Sequence, residues 1–230
     1  PRRDLHLRSA GDGMTTIPFT IGFIGLGNMG SAIASRLAAS GARVIGYDRD
    51  PSRTENAGVE AAADASAAIA AADVVVLAVK PYQFDNLAAE TATAWTNAHT
   101  VVSVAAGVPM ARLRSLYPNA GAWVRTMPNV AARVGASTTA VLGSDAAATT
   151  KATVLFETVG AVVPLEREAA FHPFTAVAGS GPAFVAMCAE ALSDAAVAEG
   201  MPRAAAERAA AAMIAGTGHL LREVGGTPAA

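Results

Sequence analysis

The sequence predicts an α/β protein: a doubly wound parallel sheet followed by a small all-helical C-terminal region. Three observations carry that reading. Short β-branched runs alternate with alanine-rich helical stretches through the first two-thirds of the chain. Strands alternating with helices imply a parallel sheet covered on both faces, wound by right-handed crossovers. The run from Asp73 to Val79 is almost wholly apolar, as a central strand buried on both faces must be. From Glu166 onward the signals are helical and no further strand appears.

The elements follow in order. Ile21 to Ile24 reads as a short buried strand, and a helix runs from about Asn28 to Ser40, where Gly41 ends it. Met29, Ile33 and Leu37 recur every four residues, which places them on one helix face. Val44 to Tyr47 is the second strand, Asp73 to Val79 the next, and Val101 to Val104 another. Ala122 to Arg125 and Thr138 to Leu142 follow, with helical stretches such as Tyr82 to Ala94 and Pro109 to Leu116 between strands. After residue 165, Gly179-Ser180-Gly181-Pro182 interrupts the helical pattern, and a long alanine-rich helix continues to about Glu199. Gly200 stops it, and Pro202 opens another helix at a position where its missing N–H costs nothing. The domains expected are therefore residues 14–165, a sheet domain, and 166–230, a helical one too small to stand alone. Residues 1–13 read as a tag or upstream scar without fixed structure, with Met14 as the natural start.

Composition narrows the function. The chain has 230 residues and a formal net charge of −2, so nothing points to nucleic acid or an anionic membrane. No stretch reaches 18 consecutive apolar residues. Cys188 is the one cysteine, which fits a reducing cytosol and excludes an internal disulfide. His6, His99, His172 and His219 are scattered without ligand spacing, so no metal site is expected.

The chemistry-bearing signal is Gly25-Leu26-Gly27-Asn28-Met29-Gly30, a G-x-G-x-x-G that follows a strand and opens a helix. That context makes it a Rossmann dinucleotide-binding turn. Gly25 allows the tight turn, Gly27 lets backbone approach the pyrophosphate, and Gly30 brings helix and strand close. The helix N-terminus offers free N–H groups and partial positive charge to the phosphates. Asp48, at the end of the second strand, is placed to accept from the ribose hydroxyls of NAD. Arg49 beside it is placed to hold the 2′-phosphate of NADP. The two signals point opposite ways, and Asp48 also suits a plain turn cap before Pro51.

Five segments occur in order: Gly22 to Gly30, Ala78-Val79-Lys80-Pro81, Ser103 to Val108, Arg125 to Asn129, and Ala178 to Phe184. Together they resemble the pyrroline-5-carboxylate reductases, which catalyse the last step of proline biosynthesis. The resemblance runs from about Ile21 to Pro228. The first segment is common to many dehydrogenases; the lysine-proline, methionine-proline-asparagine and glycine-serine-glycine-proline elements in combination are far more particular. The resemblance implies reduction of 1-pyrroline-5-carboxylate by NADP(H) or NAD(H), in a homodimer or higher homo-oligomer built through the helical region. It implies that Ile24, Gly25, Leu26, Gly27, Asn28 and Met29 line the pyrophosphate. Ala78, Val79, Lys80 and Pro81 would pass the ribose and nicotinamide. Ala106 and Gly107 would lie at the nicotinamide end, with Met127 to Asn129 near them. It implies that Glu168 lies near the imino acid, although a first-turn glutamate also suits that position. Ser180 and Gly181, within Gly179 to Pro182, would shape the substrate pocket. No residue is assigned as general acid, because a protonated imine is already electrophilic.

The chain departs from the family in three places. Ala65 stands where an adenosine-side asparagine is common, and Asp48 where a small polar residue is common. The chain stops at Thr227-Pro228-Ala229-Ala230, where the family continues into a Ser-Pro-Gly-Gly-Thr segment that binds the substrate carboxylate. On that comparison the helical region reads as truncated. Gly25 to Gly30 and Gly46-Tyr47-Asp48-Arg49 also resemble the β-hydroxyacid dehydrogenases, which need a catalytic lysine in the helical domain. Residues 166–230 contain no lysine, and Lys151 lies before the helical switch. A Rossmann protein that binds a nucleotide without turnover is the non-enzymatic alternative.

Overall fold

A computed structural model describes residues 17–224. The reading of residues 1–13 and the closing Thr227–Ala230 fall outside these residues. Among the described residues, eight strands form one sheet in the order β3-β2-β1-β4-β5-β6-β7-β8. They are β1 (Ile21–Ile24), β2 (Val44–Tyr47), β3 (Glu60–Ala61), β4 (Val74–Leu77), β5 (Thr100–Ser103), β6 (Ala122–Met127), β7 (Ser137–Gly143) and β8 (Gly160–Pro164). The order reverses between β1 and β4, so the crevice at their carboxyl ends is the switch point where such sheets take ligands.

The helices cover both faces. On one lie α1 (Asn28–Ala39), α2 (Pro51–Ala57) and α6 (Ala146–Glu157); on the other lie α3 (Ala65–Ala70), α4 (Phe84–Glu90) and α5 (Met110–Leu116). Strand periodicity divides the core accordingly. Val74 and Val76 pack with Ile33, Leu37, Leu155 and Phe156, while Val75 and Leu77 pack with Ile69, Phe84, Leu87 and Leu113. Each such side chain contributes about 1.5–3 kcal/mol on full burial. Aspartates start three helices: Asp50, Asp64 and Asp145 accept from the backbone N–H of Ser52, Ala67 and Ala148 respectively.

The sheet differs from a purely parallel one at β6 and β7, which pair antiparallel with Met127 opposite Ala140. Only residues 128–136 separate them, too few for a parallel crossover. Strand β8 restores parallel pairing through α6.

The described residues divide into two compact units that part between Gly179 and Ser180, later than the composition switch at 165/166. The first helical turns remain with the sheet unit: a 3-10 turn at Glu168–Ala170, α7 (Phe171–Phe174) and a π-helical stretch Thr175–Gly179. The second unit holds α8 (Gly181–Ala198) and α9 (Arg203–Val224), with Ser193, Ala206 and Ala210 buried. On α8 the side chains of Phe184, Val185, Met187 and Leu192 are exposed. The helical run Glu168–Ala198 is long and apolar enough to cross a membrane by length and composition, with a mean hydropathy of 1.3.

Candidate cofactor cleft and the elements around it

The turn after β1 is built by close approach. Gly25 has φ +93°, in the left-handed region, and its N–H donates to Tyr47 O at 2.8 Å. A Cβ on Gly30 would collide with the Gly25 carbonyl and stand 3.0 Å from Ala78 Cβ. Gly27 differs. Its φ is −69°, and the nearest atom to a Cβ there is Arg53 Nη1 at 3.9 Å, so that face opens into the cleft. Gly27 caps α1 with no side-chain hydrogen bond, which leaves the helix N–H groups to a ligand. An open backbone face at an uncapped helix start is the cradle a pyrophosphate needs, and these residues fit one.

Asp48 ties the end of β2 to this turn. Its Oδ2 accepts from Leu26 N–H at 2.7 Å and its Oδ1 from Asp50 N–H at 3.0 Å. Arg53, on α2, brings Nη1 to 3.6 Å from Asp48 Oδ2 and Nε to 3.5 Å from Asp50. Arg49 reaches across to Glu90 on α4 at 3.0 Å. On the far side, Ala78 N–H donates to Ile24 O, so the chain leaving β4 runs alongside the turn. Lys80 N–H donates to Gln83 Oε1 at 2.9 Å, starting a 3-10 turn at Pro81.

These residues enclose a cleft of about 360 Å³. Of the residues singled out from sequence, Ile24, Gly25, Gly27, Asp48, Arg49, Ala78, Val79 and Lys80 line it. Leu26 turns its side chain into the core, Asn28 is exposed at the first turn of α1, and Met29 packs against the core. Pro81 lies at the rim turn. Arg53 and Glu90 also line the cleft; the sequence reading passed over them because helix-borne charges are ordinarily solvated.

Ala106 and Gly107 lie exposed after β5, outside this cleft. Asn129 is buried, and its side chain is committed elsewhere: Oδ1 accepts from Ala131 N–H and Nδ2 donates to Ala178 O at 2.9 Å. The Ala178 carbonyl would receive the N–H four residues on in an α-helix, but that residue is Pro182, which has none. Asn129 supplies the missing donor at the π-helical stretch. Glu168 is likewise engaged: Oε1 accepts from Met110 N–H at 2.6 Å and from Arg125 Nη1 at 2.9 Å. The Arg125 guanidinium also stacks on the Phe171 ring at 4.3 Å. Ser180 caps α8 and Gly181 opens it, in the second unit. Among the described residues no three His, Cys, Asp or Glu side chains come together as a metal site.

Comparisons with known proteins agree with this architecture. The family described as NADP oxidoreductase coenzyme F420-dependent matches residues 20–107, and that described as pyrroline-5-carboxylate reductase dimerisation matches 168–230. The pyrroline-5-carboxylate reductase of Escherichia coli is 36% identical over 227 residues, covering 91% of this chain and 82% of that protein. The solved 1-pyrroline-5-carboxylate reductase of Streptococcus pyogenes superposes with a TM-score of 0.79 at 27% identity, over 91% of this chain and 82% of that one. The Plasmodium falciparum pyrroline carboxylate reductase, solved with NADP bound, shares the fold at 22% identity with a TM-score of 0.81, over 90% and 80% of the two chains.

Proposed function

The chain belongs to the pyrroline-5-carboxylate reductase family, and from that premise we propose that it reduces 1-pyrroline-5-carboxylate to L-proline, the last step of proline biosynthesis. It is an NAD(P)H-dependent oxidoreductase. The observation that carries the proposal is the glycine turn opening α1 beside the β1/β4 switch point, in a chain of which 91% aligns with a pyrroline-5-carboxylate reductase. A reduced nicotinamide dinucleotide held with its adenosine end in the cleft would supply the hydride that the C=N carbon accepts.

The protein's part is binding and orientation. In this reading Gly25 and Gly27 bring backbone up to the pyrophosphate, and the N-terminus of α1 meets its charge. Asp48, Arg49 and Arg53 hold the adenosine end, and Ala78 to Lys80 flank the ribose. Ala106 and Gly107 bound the nicotinamide end. Asn129 and Glu168 act one step back: they fix the π-helical stretch and the turn before α7, and with them the approach to the substrate side. Ser180 and Gly181 belong to the substrate pocket.

The protein works on a small molecule as a homo-oligomer. We assign the exposed apolar side chains of α8 to a dimer interface and not to a membrane, since Glu190 and Asp194 share that helix. We place the protein in the cytoplasm, in keeping with its single cysteine. The test is isotopic. Incubation of the full-length protein with imine and deuterium-labelled NADPH yields L-proline labelled on the former imine carbon. Proline without label, or none, contradicts the proposal.

A further inference from the structure

We infer that His99 is an acid-sensitive latch at the amino-terminal edge of the sheet: neutral, it closes the turn that enters β5 and supports the start of β6, and protonated, it releases both. The latch is independent of the cofactor cleft, which lies at the opposite, carboxyl-terminal edge of the strands.

The turn is closed by two reciprocal bonds. His99 N–H donates to Thr96 O at 3.1 Å, and Thr96 N–H donates to His99 Nδ1 at 2.9 Å. A backbone N–H can only donate, so Nδ1 must be the bare nitrogen of a neutral imidazole. A proton on Nδ1 would face the Thr96 N–H and abolish that bond. The start of β6 leans on the same residue: the His99 carbonyl accepts from Gly121 N–H at 3.0 Å and from Ala122 N–H at 3.3 Å. Gly121 itself lies so close to the turn that a Cβ there would collide with the Asn97 carbonyl. Strand β6 goes on to Arg125, the partner of Glu168.

The surroundings oppose the charged form. His99 is buried, with the edge of the Trp95 ring against it at 5.8 Å. Burial lowers its pKa, and Asp73 at the head of β4 acts in the opposite sense. One oxygen of Asp73 already accepts from Thr20 N–H at 2.8 Å. Lys151, on α6, brings its ammonium to 3.4 Å from the hydroxyl of the next residue, Thr100. The Tyr117 phenol, packed behind Trp95, stays neutral throughout the acid range. With the folded pKa below the unfolded one, the unfolded chain takes up its proton first as pH falls. The stabilisation is therefore complete above about pH 6.5 and is lost as pH falls from there toward the folded pKa.

The test is made on the full chain labelled with 15N. At pH 7 the His99 imidazole should carry its proton on Nε2. It should titrate below the range of an exposed histidine, with the Thr96 amide resonance moving at the same midpoint. Between pH 7 and 5, exchange of the Thr96, Gly121 and Ala122 amides, corrected for its intrinsic rate, should quicken about tenfold. His99→Asn keeps an acceptor oxygen near the place of Nδ1 and does not titrate, so it should show no such quickening. Over the same interval the unfolding constant of the parent should rise roughly three- to twentyfold more than that of His99→Asn. A proton on Nδ1 at pH 7, a Thr96 amide indifferent to the His99 titration, or a parent and variant with the same pH dependence overturns the inference. The imidazole measurement needs only the parent, so it decides the matter even where the variant does not fold.

Discussion

Glu168 holds Arg125 across 43 residues of chain, with Oε1 at 2.9 Å from Nη1. The same oxygen accepts from the Met110 backbone at 2.6 Å. One carboxylate oxygen therefore joins β6, the start of α5 and the turn that leads into α7. Arg125 is nearly buried, so removing its partner strands a cation. Glu168→Ala should cost about 2–3 kcal/mol in urea unfolding, while Glu168→Gln, which keeps an acceptor, should cost about 1. If Glu168 also meets the imino acid, Glu168→Gln raises KM for the imine beyond what its stability loss explains. Two variants as stable as the parent would contradict the structural role.

Gly27 and Gly30 have opposite burdens. Gly30→Ala forces a methyl against the Gly25 carbonyl and Ala78. A loss of about 1–3 kcal/mol is expected, as for other overpacked sites, with weakened cofactor binding. Gly27→Ala meets only the Arg53 guanidinium, in ordinary contact at 3.9 Å, and should change stability by less than about 1 kcal/mol. Its methyl instead occupies the pyrophosphate approach, so NADPH affinity should fall at least about tenfold. Melting curves and fluorescence titration of both variants separate the two effects.

Tyr117 is fully buried against Trp95, and its hydroxyl has no hydrogen-bond partner among the described residues. Tyr117→Phe removes a desolvated group without changing shape. Stability should hold or rise by up to about 1 kcal/mol. Burial also pushes the phenol's pKa well above its ordinary value. The unfolded phenol ionises from about pH 10, while the folded one stays protonated. Its contribution is thus intact below pH 10 and is lost as pH climbs further. The Phe variant should lose less stability than the parent between about pH 10 and 11, measured by urea midpoints.

Much of the architecture was legible in the sequence. Asp73 to Val79 announced the central strand because every residue of Val74–Leu77 is buried, and the glycine turn announced the switch point because Gly25 and Gly30 leave no room for a side chain. Strand β3 escaped notice because Glu60 and Ala61 are exposed and only two residues long. The antiparallel turn of β7 was missed because an apolar run carries no strand direction. Arg53 and Glu90 reach the cleft from separate helices, and no local spacing links them to the glycine turn. Asn129 was read as a cofactor neighbour; its bond to Ala178 becomes intelligible only once Pro182 is seen to withhold a donor.

The most direct test of the account is the oxidation of NADPH and of NADH, in parallel, by the full-length protein supplied with 1-pyrroline-5-carboxylate. The account predicts one L-proline formed per cofactor oxidised, with NADPH the better reductant. A folded protein that binds NADPH and oxidises neither cofactor in the presence of the imine would contradict it.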